Sequence, residues 1–500
     1  MSTPSTIPFQ QIPSDIRVPL FFAEVNNQNA NTASQVQRAL LIGPMISTGS
    51  GAGTATPGVP LVSQGPTDAN AKCGAGSIIA IMTQAYRNND SFGQVYYLPL
   101  ADDPSGVAAT GTIAFTAAPT ATGVIFLYIG GQLVTITVTS SMTTTQIATA
   151  VAAAINAINT MPVTATSTTG TVTLTSKNKC LAANDIDIRM NYGGVPAGQS
   201  TPAGLTYTIT AMSGGLLNAS LTEPLANLAN MPFDFIACAY NDSTSMAALT
   251  TFLNFTTGRW SWQSMIYGHT FYAYRGTYGA LTTFGATLND PNASVLGFYD
   301  SPTTNWEIAA AYCAQAAVSI RANPGVPLQG VVLQGIAAPP VQSQFLLNEQ
   351  NDLLFEGIST FTVNAASQVA LQGTITTYQT NAEGQPDNSY LQLNTMYLIM
   401  AVIRSLQTLI TSKYGRMILV ANGTLFAPGL PIVTPDDIAA DLIANYGTLE
   451  YAGLVQDSQT FAQGLIVQQN AGNPNRVDVG YDPTLVNQLN IFALLFQFML

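Results

Sequence analysis

The sequence predicts a multidomain α/β protein built on a doubly wound, mostly parallel β-sheet. Three observations support this fold class. The chain has 500 residues, more than a single hydrophobic core usually serves. Strand-like and helix-like segments alternate before residue 100 and again between residues 223 and 321, as successive βα units do. Between these two parts, a Thr-rich stretch carries short alternating strands, which is typical of an inserted α+β module.

The first segment, residues 1–31, is predicted to be an extended arm. Pro8, Pro13 and Pro19 exclude a helix there. At about 3.3 Å per residue, an arm of this length can reach a neighbouring subunit. Its apolar run would suit an edge strand and consists of Val18, Leu20, Phe21, Phe22 and Val25.

The α/β domain is predicted in two pieces, residues 32–105 and 213–330. The first piece has a strand at 38–42, a helix at 77–87 and a strand at 94–98. The second piece has helices at 223–229, 243–255, 278–286 and 304–321, and strands at 233–240, 264–273 and 294–299.

The inserted module is predicted at residues 106–212. One helix at 144–158 interrupts strands at 112–116, 124–129, 133–138, 172–175, 186–191 and 207–210. Its many hydroxyl side chains indicate an outward-facing position.

A C-terminal α+β domain is predicted at residues 331–481, with helices at 389–414 and 434–446 and strands at 464–469 and 476–481. The segment Thr434-Pro435-Asp436-Asp437 is a typical helix start, with a capping side chain, Pro at the first helical position and acids that complement the helix dipole.

The last segment, residues 482–500, is predicted to contain a strand at 489–498. Both of its faces are apolar, so both require burial. The sheet that accepts this strand can belong to its own domain or to a neighbouring copy, and the residues alone leave both alternatives open. The apolar side chains are Leu489, Ile491, Phe492, Leu494, Phe496 and Phe498.

The composition indicates a self-assembling protein. Charged residues make up 8% of the chain, against about 25% in ordinary soluble domains, and the mean hydropathy is +0.24. The net charge of -12 disfavours direct contact with nucleic acid. The most apolar helical stretch, 397–410, contains Arg404 and is too short to span, so we expect no stable membrane insertion. No secretory leader is recognisable, which predicts synthesis in the cytoplasm.

The sequence gives little indication of a catalytic site. The single histidine, His269, has no nucleophile elbow near it and is predicted to be structural. The four cysteines lack metal-ligand spacing, and we expect them to be free thiols. Asp234, Asp290, Asp300 and Glu307 are too scattered to nominate a pair. We therefore expect no catalytic, metal or cofactor site.

Several blocks of the sequence resemble the Mu-like contractile tail sheath proteins of bacteriophages. The resemblance spans nearly the full length apart from the inserted module. The blocks lie at 12–19, 289–291, 306–312, 346–361, 375–379, 384–390 and 482–489.

The resemblance implies a virion subunit that stacks as six-fold rings around an inner tail tube and contracts to drive the tube through the host envelope. It also implies that both terminal arms cross to neighbouring copies and complete a sheet there, so that the C-terminal domain is completed by exchanged arm strands. The implied partners are other copies, the tail tube protein, and the baseplate and tail terminator proteins. Asp436, Asp437 and Asp441 are candidate tube contacts under this interpretation, although a solvated helix face explains them equally.

Two other functions stay open at this point. A hydrolase of doubly wound fold would use carboxylates in a cleft at the carboxyl edge of the sheet. A surface appendage or adhesin subunit would fit the Thr richness and the low isoelectric point, but not the absence of a recognisable leader.

Overall fold

The structure is a computed structural model that describes residues 37–499. Within this range it holds eleven α-helices: α1 (Pro66–Cys73), α2 (Ile78–Asn89), α3 (Thr144–Ala157), α4 (Thr222–Ala226), α5 (Ser243–Leu253), α6 (Tyr278–Gly285), α7 (Asn305–Ala322), α8 (Leu347–Phe355), α9 (Leu393–Tyr414), α10 (Pro435–Tyr451) and α11 (Ser458–Gly464). Short 3-10 helices lie at Leu181–Asp185, Val195–Ala197 and Val341–Ser343.

The strands of the same range are short, with two to eight residues each. They are β1 (Ala39–Pro44), β2 (Leu61–Val62), β3 (Val95–Leu100), β4 (Thr110–Ala117), β5 (Gly123–Ile129), β6 (Gln132–Val138), β7 (Val163–Thr168), β8 (Thr171–Ser176), β9 (Ile188–Met190), β10 (Thr206–Ser213), β11 (Phe235–Cys238), β12 (His269–Arg275), β13 (Ala293–Phe298), β14 (Ile358–Ser359), β15 (Phe361–Val363), β16 (Val369–Leu371), β17 (Ile418–Leu419), β18 (Ile432–Val433), β19 (Val455–Gln456), β20 (Ile466–Gln469), β21 (Val477–Gly480) and β22 (Thr484–Leu485).

A seven-stranded sheet forms the centre of the molecule, in the order β14-β13-β12-β11-β1-β3-β2. Neighbouring strands are parallel except β2, which runs antiparallel to β3. The chain places β3 on one side of β1 and then adds β11 to β14 on the other side, which is a doubly wound order. The predicted mixed α/β fold with a parallel sheet is therefore confirmed.

Burial explains why these segments are strands. Every residue of β1, β11 and β13 is buried, as expected for parallel strands covered on both faces. Helix α7 packs on β11 and β12 and also against α2. The Glu307 carboxylate in the first turn of α7 accepts a hydrogen bond from the Thr304 hydroxyl (2.6 Å), which fixes the start of this helix.

The inserted region forms two further sheets, β10-β4-β8-β7 and β6-β5-β9, and none of these strands joins the central sheet. Helix α3 packs on β4, β6, β7 and β8. Two ion pairs tie this region to the central sheet: Arg275 at the end of β12 pairs with Asp185 (2.6 Å), and Asp300 in the loop after β13 pairs with Arg189 (3.1 Å).

The central sheet extends beyond the boundary predicted at 330/331, because β14 pairs with β13. The strand predicted at 264–273 begins only at His269. The preceding residues turn instead: the Ser264 and Met265 N–H groups both donate to the Ser261 carbonyl, and Met265 has a positive φ of 48°.

Helix α9 joins the C-terminal region to the central sheet. Arg404 forms two hydrogen bonds of 2.5 and 2.7 Å with the Asp234 carboxylate, and the Tyr397 hydroxyl donates to the Asp234 carbonyl (3.0 Å). Among the described residues, α9 is the one helix with the length and composition to cross a membrane. Its first turns are buried in the core, including Leu393, Met396 and Met400, which accounts for its apolar composition.

Candidate functional site: the assembly surfaces of the C-terminal region

The start of the apolar C-terminal tail is held by its own domain through Val486. Strand β22 pairs with β19, and the Val486 N–H donates to the Leu454 carbonyl (3.3 Å). The Thr484 N–H donates to the Tyr446 hydroxyl (3.1 Å). These bonds fix residues 484–486, which we call the root of the tail. The arm that the sequence placed at 482–500 therefore begins later, because residues 484–486 are held by their own domain.

The strand predicted at 489–498 is not formed in the structure. A β-strand requires a second strand to bond its backbone, and no strand within residues 37–499 pairs with this segment. The predicted apolar side chains face solvent instead, with exposed fractions of 70% to 82%: Leu489, Ile491, Phe492, Leu494, Phe496 and Phe498. The isolated subunit therefore leaves the apolar faces of its tail uncovered.

Strands β20 and β21 form a two-stranded antiparallel sheet near the root of the tail. Val467 and Val477 pack on the core formed by Val433, Ile438 and Leu442 of this region. Within residues 37–499, no third strand pairs with either of them. Each strand therefore presents an outer edge whose backbone groups can bond another segment.

The three predicted acidic contacts lie on the first turns of α10, and all three have partners in their own chain. The Asp437 carboxylate accepts from the Thr434 N–H (2.9 Å) and hydroxyl (2.7 Å), and these bonds lower its pKa. Asp436 accepts from the Asn422 amide (2.7 Å), and Asp441 pairs with Lys413 (2.5 Å). Asp436 and Asp437 remain exposed, so the helix start presents negative charge to its surroundings.

The five predicted contacts of the N-terminal arm lie outside the described residues. They are Val18, Leu20, Phe21, Phe22 and Val25.

A groove of about 540 Å³ lies beside the root of the tail, and no feature of the sequence predicted it. Leu354, Ile375, Tyr378 and Leu391 contribute its apolar lining, and the exposed Phe355 lies at its side. Asn490 and Ile491 of the tail also line it, and the Asn490 amide donates to Gln392 (3.3 Å). Because these residues come from distant parts of the sequence, no local pattern indicates the groove.

Among the described residues that line this groove, Asp387 is the charged one. Its carboxylate accepts hydrogen bonds from the Ser389 hydroxyl (2.6 Å), the Ser389 N–H (2.9 Å) and the Tyr378 hydroxyl (2.7 Å). These bonds hold the pKa of Asp387 below its ordinary value, with Ser389 as the main cause. The groove therefore carries a fixed negative charge at neutral pH.

The histidine and the cysteines, which catalysis could use, have structural roles instead. His269 is fully buried, its Nε2 lies 2.9 Å from the Ser294 hydroxyl, and burial lowers its pKa to about 3. This confirms the predicted structural histidine. The four cysteines are buried free thiols. Across residues 37–499, no group of three or more His, Cys, Asp or Glu side chains could hold a metal ion.

The carboxylates singled out in the sequence are dispersed in the structure as well. Asp234 pairs with Arg404, Asp300 accepts from the Ser343 hydroxyl (2.7 Å), and Asp290 accepts from the Thr250 hydroxyl (2.6 Å). Glu307 caps α7, so each of these carboxylates has a structural partner in its own chain.

Comparison with known proteins gives consistent matches. Residues 214–377 match the family described as phage tail sheath protein central domain, and residues 385–499 match the phage tail sheath C-terminal domain. The sequence is 35% identical over 497 residues to the Mu-like prophage FluMu tail sheath protein of Haemophilus influenzae, covering 99% of this chain and 100% of that protein.

Comparison with solved structures also matched two sheath tail proteins. The one from Desulfitobacterium hafniense has a TM-score of 0.48 and 14% identity, covering 95% of this chain and 97% of that chain. The one from Listeria innocua has a TM-score of 0.46 and 12% identity, covering 91% and 93%. From the sequence identity over its whole length, the chain belongs to the Mu-like phage tail sheath proteins, which are structural subunits of contractile tails and not enzymes.

Proposed function

We propose that the protein polymerises as stacked six-fold rings around an inner tail tube, and that contraction of this cylinder drives the tube through the host envelope. The observation that carries the proposal is the apolar tail, whose residues 491–499 are exposed and have no strand partner within residues 37–499 of their own chain. A free segment of this composition promotes aggregation unless a sheet edge accepts it. A neighbouring copy offers such an edge.

The terminal arms are the proposed links between copies. The tail would add a strand to an open edge of a neighbour's C-terminal domain, where β20 and β21 each present one. Main-chain hydrogen bonds would give affinity, and the alternating apolar side chains would fix the register. The apolar run at residues 18–25 would act as the second link.

The remaining partners are proposed from the family. Asp436, Asp437 and Asp441 on α10 are the candidate contacts to the tail tube protein, since they place negative charge at one helix start. Baseplate and tail terminator proteins would bind the two ends of the cylinder. The inserted module at 106–212 would face outward, and assembly would take place in the host cytoplasm without direct nucleic-acid contact or membrane insertion.

Contraction requires an extended state that is less stable than the contracted one. If each copy gains only a few kcal/mol, many coupled copies make the transition effectively irreversible, because about 1.4 kcal/mol already corresponds to a factor of ten. Arms that keep their connections while the rigid domains move would transmit the change from ring to ring.

Truncation of the full chain after Asn487 tests the proposal. The truncated subunit should stay soluble and folded, because β22 and the core are retained, but it should form no cylinders in electron micrographs. Replacement of Phe92 by serine is the matched control, since this residue is also apolar and fully exposed but lies far from the tail in sequence. Normal cylinders from the truncated subunit would refute the role of the tail.

A further inference from the structure

A second cavity lies where the inserted module meets the α/β domain, and it shares no lining residue with the groove beside the tail. Its volume is about 480 Å³, which is in the range of small-molecule sites. One face of α2, the turn between β5 and β6 and the start of α7 form its walls, and we call it the module cleft. Clefts between domains are common ligand sites, because groups from separate parts of the chain converge there.

The turn between β5 and β6 brings the module close to the start of α7. It contains Gly130 and Gly131, whose φ angles are 54° and 77°. A Cβ atom at Gly130 would lie 3.4 Å from Thr304, and one at Gly131 would lie 3.4 Å from Thr303. Because glycine allows both the left-handed backbone and this close approach, the module wall of the cleft is held against the α/β domain.

Two residues at the start of α7 line the cleft and retain hydrogen-bonding capacity. Trp306 is fully buried, and its indole Nε1–H has no acceptor within residues 37–499. The Glu307 carboxylate accepts from the Thr304 hydroxyl (2.6 Å) and N–H (3.4 Å), and both bonds end on Oε2. A buried donor without an acceptor is unfavourable, so a ligand that supplies an acceptor would stabilise the site.

The charge of the lining separates classes of ligand. Among the described residues that line the cleft, none is Lys, Arg or His, so a phosphate or carboxylate ligand finds no counter-ion. Burial raises the pKa of Glu307 to about 7, so this carboxyl is protonated in a large share of the molecules at neutral pH and attracts a cation weakly. The cleft therefore favours a neutral ligand.

The rest of the lining combines amides and hydroxyls with an apolar strip. Ile81, Ile129 and Pro162 supply the apolar contacts. The amides and hydroxyls can each donate and accept hydrogen bonds. A sugar ring has the matching combination, with hydroxyl groups at its rim and C–H groups on its faces. The polar side chains include Asn70, Gln84, Asn88, Gln132 and Thr160.

We propose that the module cleft binds a neutral sugar unit, whose hydroxyl oxygens accept from the Trp306 indole and bond the Glu307 carboxyl and the amides of α2. The apolar strip would contact one face of the ring. This binding is independent of the exchange of arms and gives the subunit an activity besides assembly. Free monosaccharides and the sugar units of a surface polysaccharide share this chemistry.

NMR spectroscopy of the unassembled full-length subunit tests the proposal. The chain has three tryptophans and therefore three indole N–H signals, and Trp306→Phe identifies the signal of Trp306. Glucose, galactose and N-acetylglucosamine are the probes, with a Kd on the order of 1 mM expected for ligands of this size. At least one should shift the Trp306 signal. The Trp260 signal should stay in place, because its indole already donates to the Gly268 carbonyl (2.9 Å).

Gln84→Ala tests the location of the site. Gln84 is exposed on α2, so its replacement leaves the core intact, and loss of its amide should raise the Kd by about threefold to tenfold. Gln463→Ala is the matched control, since Gln463 is also an exposed helical glutamine but lies on α11, outside the cleft. This control should bind as the wild type does.

Two further probes complete the test. The methyl glycoside of the bound sugar mimics a unit within a chain, so its binding would support a polysaccharide as the source, and binding of the free sugar alone would support a monosaccharide. Glucose 6-phosphate should bind more weakly than glucose, and tighter binding would overturn the proposal. An unmoved Trp306 signal with every sugar far above the expected Kd, or equal Kd values for Gln84→Ala and the wild type, would also overturn it. Polymerisation is not involved in any of these measurements, so their failure leaves the proposed function untouched.

Discussion

Replacement of Arg404 by alanine is predicted to destabilise the free subunit by about 3–5 kcal/mol. Arg404 lies on α9 and bonds both carboxylate oxygens of Asp234, which directly precedes β11. The side chain of Asp234 is 2% exposed and that of Arg404 is 13% exposed. The variant therefore leaves a buried carboxylate without its counter-ion, and this desolvation cost is the source of the predicted loss.

Urea denaturation of the free subunit, followed by circular dichroism, measures the effect. Lys413→Ala on the same helix is the matched control, because the Lys413 side chain is half exposed in its pair with Asp441 and such pairs contribute about 0–1 kcal/mol. The double variant Asp234→Asn with Arg404→Met should recover most of the loss, since it leaves no buried charge. Equal effects of Arg404→Ala and Lys413→Ala would refute the reasoning from burial.

Three further predictions concern pH, helix capping and salt. Burial raises the pKa of Glu307 to about 7, so the folded subunit retains a proton that the unfolded chain releases near pH 4.5. Stability should fall as pH rises from about 4.5 to about 7, and Glu307→Gln should reduce this slope in denaturation curves. Thr434→Ala should cost about 1 kcal/mol by removing the cap of α10, seen as faster amide exchange in its first turn. Contraction should depend weakly on salt in electron micrographs, because 8% of the residues are charged, and triggering by moderate salt alone would contradict this.

The central sheet could be predicted because buried parallel strands are continuous apolar runs. The sequences Ala39–Pro44, Phe235–Cys238 and Ala293–Phe298 are all of this kind, and a helix is the next element after the last two. The edge strand Ile358–Ser359 has two residues and no periodicity of its own. Its membership of the sheet follows from pairing with β13, which local sequence does not encode.

The candidate site could be predicted only in part. The apolar composition of the tail identified it as a segment that requires a partner, but the same apolar run also predicted a strand that the isolated subunit does not form. Strand formation there depends on backbone groups supplied from elsewhere. The groove depends on residues between 329 and 491 that meet only in the folded chain, so composition and periodicity cannot reveal it.

The most direct measurement is a cryo-electron microscopy map of the assembled sheath in which the chain can be traced from Val486 to its end. We predict that this tail leaves its own subunit and adds a strand to the C-terminal domain of another copy. A map in which both termini fold back onto their own subunit would contradict it.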